Sequence, residues 1–126
     1  MSNPIHKFVK IGTLGELLVQ LRLLQYNVQA APPIKDSGND LIAIKGLVFK
    51  TIQVKTSTTD NFRIQNLPSF YHILALVRLV GENNNIFLDN SRIFLLSKEE
   101  VTRSSFNINN LMEKELNETR INELFY

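Results

Sequence analysis

Two short apolar segments joined by a glycine turn constrain this chain more than any other feature. The segments are Leu41–Ile44 and Val48–Lys55, and the turn between them falls at Lys45-Gly46. A glycine between two runs rich in β-branched residues is typical of a β-hairpin. Both segments carry Ile, Val or Leu on both faces, so we predict that the two strands lie inside a sheet rather than at its edge.

Polar side chains are placed around this hairpin in a pattern that suggests chemistry. Asp40 precedes the first strand, and Gln53 and Lys55 lie two residues apart on the second. Side chains at this spacing project from the same face of a strand, and the turn carries them back toward Asp40. An acid, an amide oxygen and an ammonium at one place can hold a divalent cation beside a phosphate. The alternatives are a turn residue at Asp40, a surface amide at Gln53 and a solvated strand end at Lys55.

The order of these residues resembles the core of the PD-(D/E)XK nuclease superfamily, with the Holliday-junction-resolvase branch as the nearest comparison. Members of that superfamily have a glutamate on a helix, an aspartate that opens a strand, and an acid-X-Lys motif on the next strand. The matching residues here are Glu16, Asp40 and Lys55, and Gln53 replaces the acid of the last motif. The resemblance covers about Phe8 to Ser57 and extends less clearly to the strands that follow.

The resemblance implies a metal-dependent endonuclease that hydrolyses phosphodiester bonds in DNA, either resolvase-like or site-specific. Asp40 would bind Mg²⁺ or Mn²⁺, with the Gln53 side-chain oxygen and the Val54 backbone carbonyl as neutral ligands. Glu16 would complete the metal site, directly or through water. Lys55 would orient the attacking water and stabilise negative charge on the phosphate. Because Gln53 removes one negative charge, we expect the metal to bind weakly.

Other functions remain open at this point. A neutral Gln53 also fits a non-catalytic nucleic-acid-binding or accessory subunit that keeps the nuclease fold, although the retained Asp40 and Lys55 favour an enzyme. A purely structural subunit of a larger complex is a third possibility. Glu16 also fits a helix cap, because Thr13-X-X-Glu16 has the pattern of a capping box. A minimal nuclease needs a partner to cut both strands, so we expect a homodimer or higher homo-oligomer, with the last helix as a candidate contact face.

Composition agrees with a small DNA-binding protein. The 126 residues are enough for one nuclease-like domain spanning 1–126. The chain has no cysteine, which excludes disulfides and thiolate chemistry. Although the net charge is only +2, residues 1–55 hold seven Lys or Arg and three acidic residues. A basic half around the candidate site suits a DNA substrate. The alternative interpretation is ordinary surface charge. No apolar run is long enough to span a membrane, and we expect a cytoplasmic protein.

Hydrophobic periodicity predicts the order helix, four or five strands, helix. We therefore predict an α/β fold in which helices flank a mixed central β-sheet, as in a restriction-endonuclease-like core. The first helix should bury a leucine stripe, and a second capping box should start at Ser97. Beyond the hairpin, the predicted elements are a helix at Leu14–Gln25 with a stripe of Leu14, Leu17, Leu18, Leu21 and Leu24, strands at Val28–Ala31, Tyr71–Val80, Ile86–Asp89 and Arg92–Leu96, an irregular segment at Thr56–Pro68, a turn at Gly81–Asn85 and a last helix at Asn110–Phe125.

Overall fold

A computed structural model describes residues 7–34, 38–82 and 85–126 of the chain. It contains two α-helices, α1 (Lys7–Gln25) and α2 (Glu118–Leu124). Short 3₁₀ helices occupy Leu88–Asn90, Lys98–Glu100, Ile108–Asn110 and Met112–Lys114. The strands are β1 (Gln29–Ala31), β2 (Leu41–Lys45), β3 (Val48–Ser57), β4 (Asn61–Arg63), β5 (Ile73–Arg78), β6 (Gly81–Glu82), β7 (Asn85–Ile86), β8 (Arg92–Ser97) and β9 (Ser105–Asn107). Within the described part of the chain, no helix combines the length and apolarity needed to cross a membrane.

Five strands form the central sheet in the order β1-β2-β3-β5-β8. The β3–β5 pair is parallel and the other pairs are antiparallel. This confirms the predicted α/β fold with a mixed sheet. The hairpin is also confirmed: β2 and β3 join at Gly46, whose φ of 60° is the left-handed conformation that glycine adopts without strain. The predicted strand at Tyr71–Val80 is β5, which is buried between β3 and β8.

The two faces of the sheet are covered by different layers. On β3, Ile52 and Val54 point toward the helices and join a core that contains residues of α1 and α2. The opposite face of β5 and β8 is covered by a second core, which includes Phe62 of β4 and Phe106 of β9. Since side chains alternate along a strand, Gln53 and Lys55 project on the face of this second core. A two-stranded sheet of β4 and β9 therefore lies on the same side as these two polar residues.

Helix α1 differs from the prediction at its start and in its buried face. It begins at Lys7, so Thr13 lies inside the helix and the predicted capping box with Glu16 is wrong. No proline interrupts residues 7–13, and the helix continues through them. The leucine stripe is only partly correct. The buried residues include Leu18, Val19 and Leu23, whereas Leu17, Leu21 and Leu24 are exposed.

The last helix is shorter than predicted, because tertiary contacts hold the chain before it in another conformation. Leu116 N donates to the Ile93 carbonyl oxygen at 2.9 Å, and Glu115 forms a salt bridge with Arg92 at 2.7 Å. These contacts hold Glu115 in an extended conformation beside β8, directly after the 3₁₀ helix at Met112–Lys114. Helix α2 then starts after Asn117, whose side-chain oxygen accepts a hydrogen bond from the backbone of the first helical turn.

Two further predictions differ from the structure. The strand predicted at Ile86–Asp89 is β7 followed by a 3₁₀ helix at Leu88–Asn90. The segment predicted as irregular, Thr56–Pro68, contains the end of β3 and all of β4. The predicted turn at Gly81–Asn85 lies between β6 and β7, and its Asn83 and Asn84 fall outside the described residues.

The second capping box is confirmed and joins a partly buried ion-pair network. Ser97 and Glu100 exchange hydrogen bonds at the start of a 3₁₀ helix. Burial alone would raise the pKa of Glu100, but hydrogen bonds from Lys114, the Ser97 backbone and Arg120 lower it to about 2. Arg120 is buried on α2 and also donates to the Leu95 carbonyl oxygen at 2.8 Å. The network therefore fixes α2 against β8.

Candidate active site

Asp40 lies where β2 and β3 separate. Strand β2 starts at Leu41, opposite Ile52, while β3 continues to Ser57 without a β2 partner on that edge. The Asp40 backbone N–H donates to the Ile52 carbonyl oxygen at 3.2 Å, and its Oδ2 accepts from the Val54 N–H at 2.8 Å. The carboxylate therefore bonds to the neighbouring strand rather than to a turn of its own segment. The Oδ2 atom of Asp40 is held in place by this bond, whereas its Oδ1 atom has no such bond to β3.

A close contact between helix and sheet brings Glu16 to the same place. Gly15 packs so tightly on β3 that a Cβ at this position would lie 1.9 Å from Thr56 Oγ1. Only a glycine allows this approach without movement, and the next residue along the helix is Glu16. A glycine in the interior of a helix is otherwise unfavourable by about 1 kcal/mol relative to alanine. Its presence at position 15 is explained by the approach of α1 to the site.

Glu16 and Asp40 form a pair of interacting carboxyl groups. Burial raises the pKa of Glu16, and the nearby Asp40 carboxylate raises it further through charge repulsion and a shared hydrogen bond. Two carboxylates at one site repel each other unless a proton or a cation lies between them. The pair is therefore suited to binding either.

Two residues adjacent in the chain to Asp40 and Val54 carry buried neutral oxygen acceptors. Gln53 is only 8 % exposed, and its Oε1 has no hydrogen-bond partner among the described residues. The Oδ1 atom of Asn39, next to Asp40 in the chain, is equally buried and unpartnered within the same part of the structure. Leaving a buried acceptor unpaired costs about 1–3 kcal/mol. Amide oxygens are ligands that Mg²⁺ and Ca²⁺ accept, so these atoms fit a site for a hard cation.

Val54 offers a backbone carbonyl group and Lys55 an ammonium group. The N–H and C=O groups of one strand residue point to the same side, so the Val54 carbonyl lies on the edge occupied by Asp40. Lys55 projects from the same face as Gln53, beside Leu76 of β5, and is half-buried. In the ranges 7–34, 38–82 and 85–126, no hydrogen bond or salt bridge involves its ammonium group. Its positive charge is thus left unpaired in these ranges, on the face of β3 opposite to the one that α1 covers.

The candidate site contains two acidic residues. The described part of the chain contains no group of three His, Cys, Asp or Glu side chains that could hold a metal ion. Glu16 and Asp40 carry the negative charge, and Gln53 carries a neutral oxygen. The sequence interpretation missed two residues of this region, Gly15 and Asn39. Gly15 had a detectable signal, namely a glycine inside a helix, but a buried Asn39 had none.

Comparison with known proteins supports the fold. The structure is similar to that of a bacterial homing endonuclease, I-Ssp6803I, with a TM-score of 0.57 and 13% sequence identity over 80% of this chain and 73% of that chain. No protein-family model matches the chain. No curated protein matches it either. At 13% identity the likeness shows a shared fold, and it confirms the prediction of a nuclease-like core at that level.

Proposed function

We propose that this protein is a metal-dependent endonuclease of the PD-(D/E)XK type that hydrolyses phosphodiester bonds in DNA. The observation that carries the proposal is the Glu16–Asp40 carboxyl pair at the point where β2 and β3 separate, with Asp40 bonded to the backbone of Val54. The similarity in fold to a homing endonuclease supports DNA as the substrate. The whole chain, 1–126, acts as a single nuclease-like domain in this proposal.

The candidate site residues fall into two groups, one that would bind the metal and one that would act on the phosphate. Asp40, the Gln53 amide oxygen, the Val54 carbonyl and Glu16 would hold Mg²⁺ or Mn²⁺. When bound, the cation would polarise the phosphate and lower the pKa of a water molecule. The unpaired ammonium of Lys55 is free to donate to a phosphate oxygen and to orient the attacking water. A lysine already paired with a carboxylate would be less available for either role.

Cleavage of DNA by the purified protein tests this proposal directly. The protein is incubated with branched and linear DNA in Mg²⁺ or Mn²⁺, and the products are separated on a gel. We expect cleavage that stops when the metal is chelated. The alternative function, an accessory subunit that keeps the fold, predicts DNA binding that weakens with salt and no cleavage of any substrate.

Replacing Gln53 with glutamate should tighten metal binding. The change restores a negative charge next to a divalent cation, and even at an effective dielectric constant of 20 this contributes more than the ~1.4 kcal/mol that corresponds to tenfold affinity. Calorimetric titration with Mn²⁺ measures the effect. The matched control is Gln65→Glu, the same change at an exposed residue. Equal Mn²⁺ affinity in Gln53→Glu and the wild type would show that Gln53 is not a ligand.

The proposal includes a homodimer or higher homo-oligomer, because one site cuts one strand of a duplex at a time. Exposed leucines support a contact face on α1. Leu17, Leu21 and Leu24 are 54%, 54% and 57% exposed and lie along one stripe of the helix. Leu21 and Leu24 also line a groove with Ile42 of β2. Helix α2, the contact face expected from the sequence, buries its apolar residues Ile121 and Leu124 in the core, together with Arg120.

Introducing a charge into this stripe should weaken self-association. Leu21→Glu would place a carboxylate in an apolar contact, and burying an unpaired charge is strongly unfavourable. We expect the molar mass from light scattering to fall to that of a monomer at concentrations where the wild type is a dimer or larger. Leu47→Glu is the control, since Leu47 is 96% exposed in the β2–β3 turn. If both variants keep the wild-type mass, the α1 stripe is not the contact face.

A further inference from the structure

The two-stranded sheet of β4 and β9, here called the ribbon, has one apolar face and one polar face. Phe62 and Phe106 pair across it and are both buried in the second core. Because side chains alternate along a strand, their neighbours face away from the core. These outward neighbours are Asn61, Arg63, Ser105 and Asn107, of which only Asn107 is partly buried.

Arg63 differs from the other arginines of the chain. The sequence contains six, and in the described part of the structure Arg63 alone is exposed without a hydrogen bond or a salt bridge. A guanidinium group has five N–H donors in a planar fork, so an unpaired one is available to a ligand. The other five arginines are bonded within the protein: Arg22 to Leu88 and Ser91, Arg78 to Asp60, Arg92 to Glu115, Arg103 to Asn110, and Arg120 to Leu95 and Glu100.

The ribbon is fixed at the ends of two strands of the central sheet. The Ser57 hydroxyl at the end of β3 donates to the Asn61 carbonyl oxygen at 2.8 Å. Arg78 at the end of β5 forms a salt bridge with Asp60 at 2.9 Å. Between the two strands of the ribbon, Asn107 Nδ2 donates to Asn61 Oδ1 at 2.9 Å. The polar face is thus held by contacts that leave Arg63 free.

The ribbon also lies next to the proposed cleavage site. Lys55 is two residues before the end of β3 and sits beside Leu76 of β5. Leu76 belongs to the second core together with Phe62 of the ribbon. Lys55 and the ribbon therefore occupy the same face of the sheet, and a duplex whose phosphate reached Lys55 would pass beside the ribbon.

We propose that the polar face of the ribbon enters the major groove beside the cleaved phosphate, and that Arg63 reads a guanine there. This inference rests on the proposed DNA cleavage. The major groove admits a two-stranded β-ribbon, and arginine binding to guanine O6 and N7 is the commonest specific contact in it. Asn61 keeps amide N–H groups that can contact a neighbouring base. A phosphate contact by Arg63 would position the DNA without reading its sequence, and the experiment separates these two roles.

Cleavage of a library of randomised duplexes tests the proposal. The wild type, Arg63→Lys and Arg63→Ala are each incubated with the library and Mg²⁺ or Mn²⁺, and the cut sequences are counted. We expect Arg63→Lys, which keeps the charge but loses the fork, to lose the preference for guanine at one position by about 10- to 100-fold. Preferences at other positions should remain. Arg103→Lys is the matched control, because Arg103 is also exposed and lies just before β9 but packs on the Phe106 ring of the ribbon.

The outcomes separate this inference from the proposed function. If Arg63→Lys cuts with the same sequence preference as the wild type, Arg63 does not read a base, although the proposed nuclease function still stands. Uniformly weaker cutting by Arg63→Ala, with a smaller dependence on salt and unchanged preferences, would make Arg63 a phosphate contact. A wild type that cuts all sequences equally would also overturn the inference. If the wild type binds without cutting, the same library sorted by binding decides the role of Arg63, and only the cleavage proposal fails. A wild type that neither cuts nor binds DNA overturns both.

Discussion

Replacing Lys55 with alanine should abolish DNA cleavage and leave most of the DNA affinity. Binding sums over many phosphate contacts, so the loss of one ammonium group changes it little. Cleavage depends on charge stabilisation at one phosphate, and removing a single preorganised donor typically lowers the rate about 10²- to 10³-fold. Gel analysis of cleavage and fluorescence anisotropy of labelled DNA measure the two properties separately.

Asp40→Asn should abolish cleavage as well, through loss of the metal. Asparagine keeps a side-chain oxygen that can accept the Val54 N–H, whereas alanine would leave this backbone group unpaired. The control is Lys50→Ala, since Lys50 lies on the same strand as Lys55 and is also half-buried. Cleavage that survives in both Lys55→Ala and Asp40→Asn would come from a different site or a contaminating nuclease. No cleavage by the wild type, with binding retained in all variants, would favour the accessory subunit.

The part of the candidate site on the hairpin follows from local signals in the sequence. A turn at Gly46 and side-chain alternation decide which residues of β2 and β3 share a face. The proximity of Asp40 to Gln53 and Val54 could therefore be predicted without knowledge of the rest of the chain. The central position of β5 was equally predictable, because a continuous apolar run is needed for a strand buried on both faces.

Other features depend on contacts between distant parts of the chain. The segment before α2 has a helical apolar pattern, but the salt bridge from Glu115 to Arg92 holds it beside β8 instead. The ribbon pairs Phe62 with Phe106, and three-residue strands give too little alternation to be detected in the sequence. Glu16 was identified by resemblance, whereas the reason for its position lies in Gly15, which lets α1 approach β3.

Gly15→Ala should destabilise the fold and reduce cleavage, although alanine favours helices. The new Cβ would lie 1.9 Å from Thr56 Oγ1, and the Cγ2 and Cβ atoms of Thr56 are only 3.1 Å and 3.0 Å away. Rotation of Thr56 therefore does not open enough space, and α1 has to move. Such overpacking costs about 1–3 kcal/mol. Because Glu16 would move with the helix, we expect cleavage to fall about 100-fold, as a displacement near 1 Å can do.

Gly12→Ala on the same helix is the matched control for this prediction. A Cβ at Gly12 meets no atom within 4 Å, so the change should stabilise the protein by about 0.5–1 kcal/mol and leave cleavage intact. Thr56→Ala removes two of the three clashing atoms and should restore part of the stability and activity of Gly15→Ala. Urea denaturation and gel assays measure both. If Gly15→Ala loses stability but cleaves DNA at the wild-type rate, the position of Glu16 does not matter for cleavage, and the metal site must be built without it.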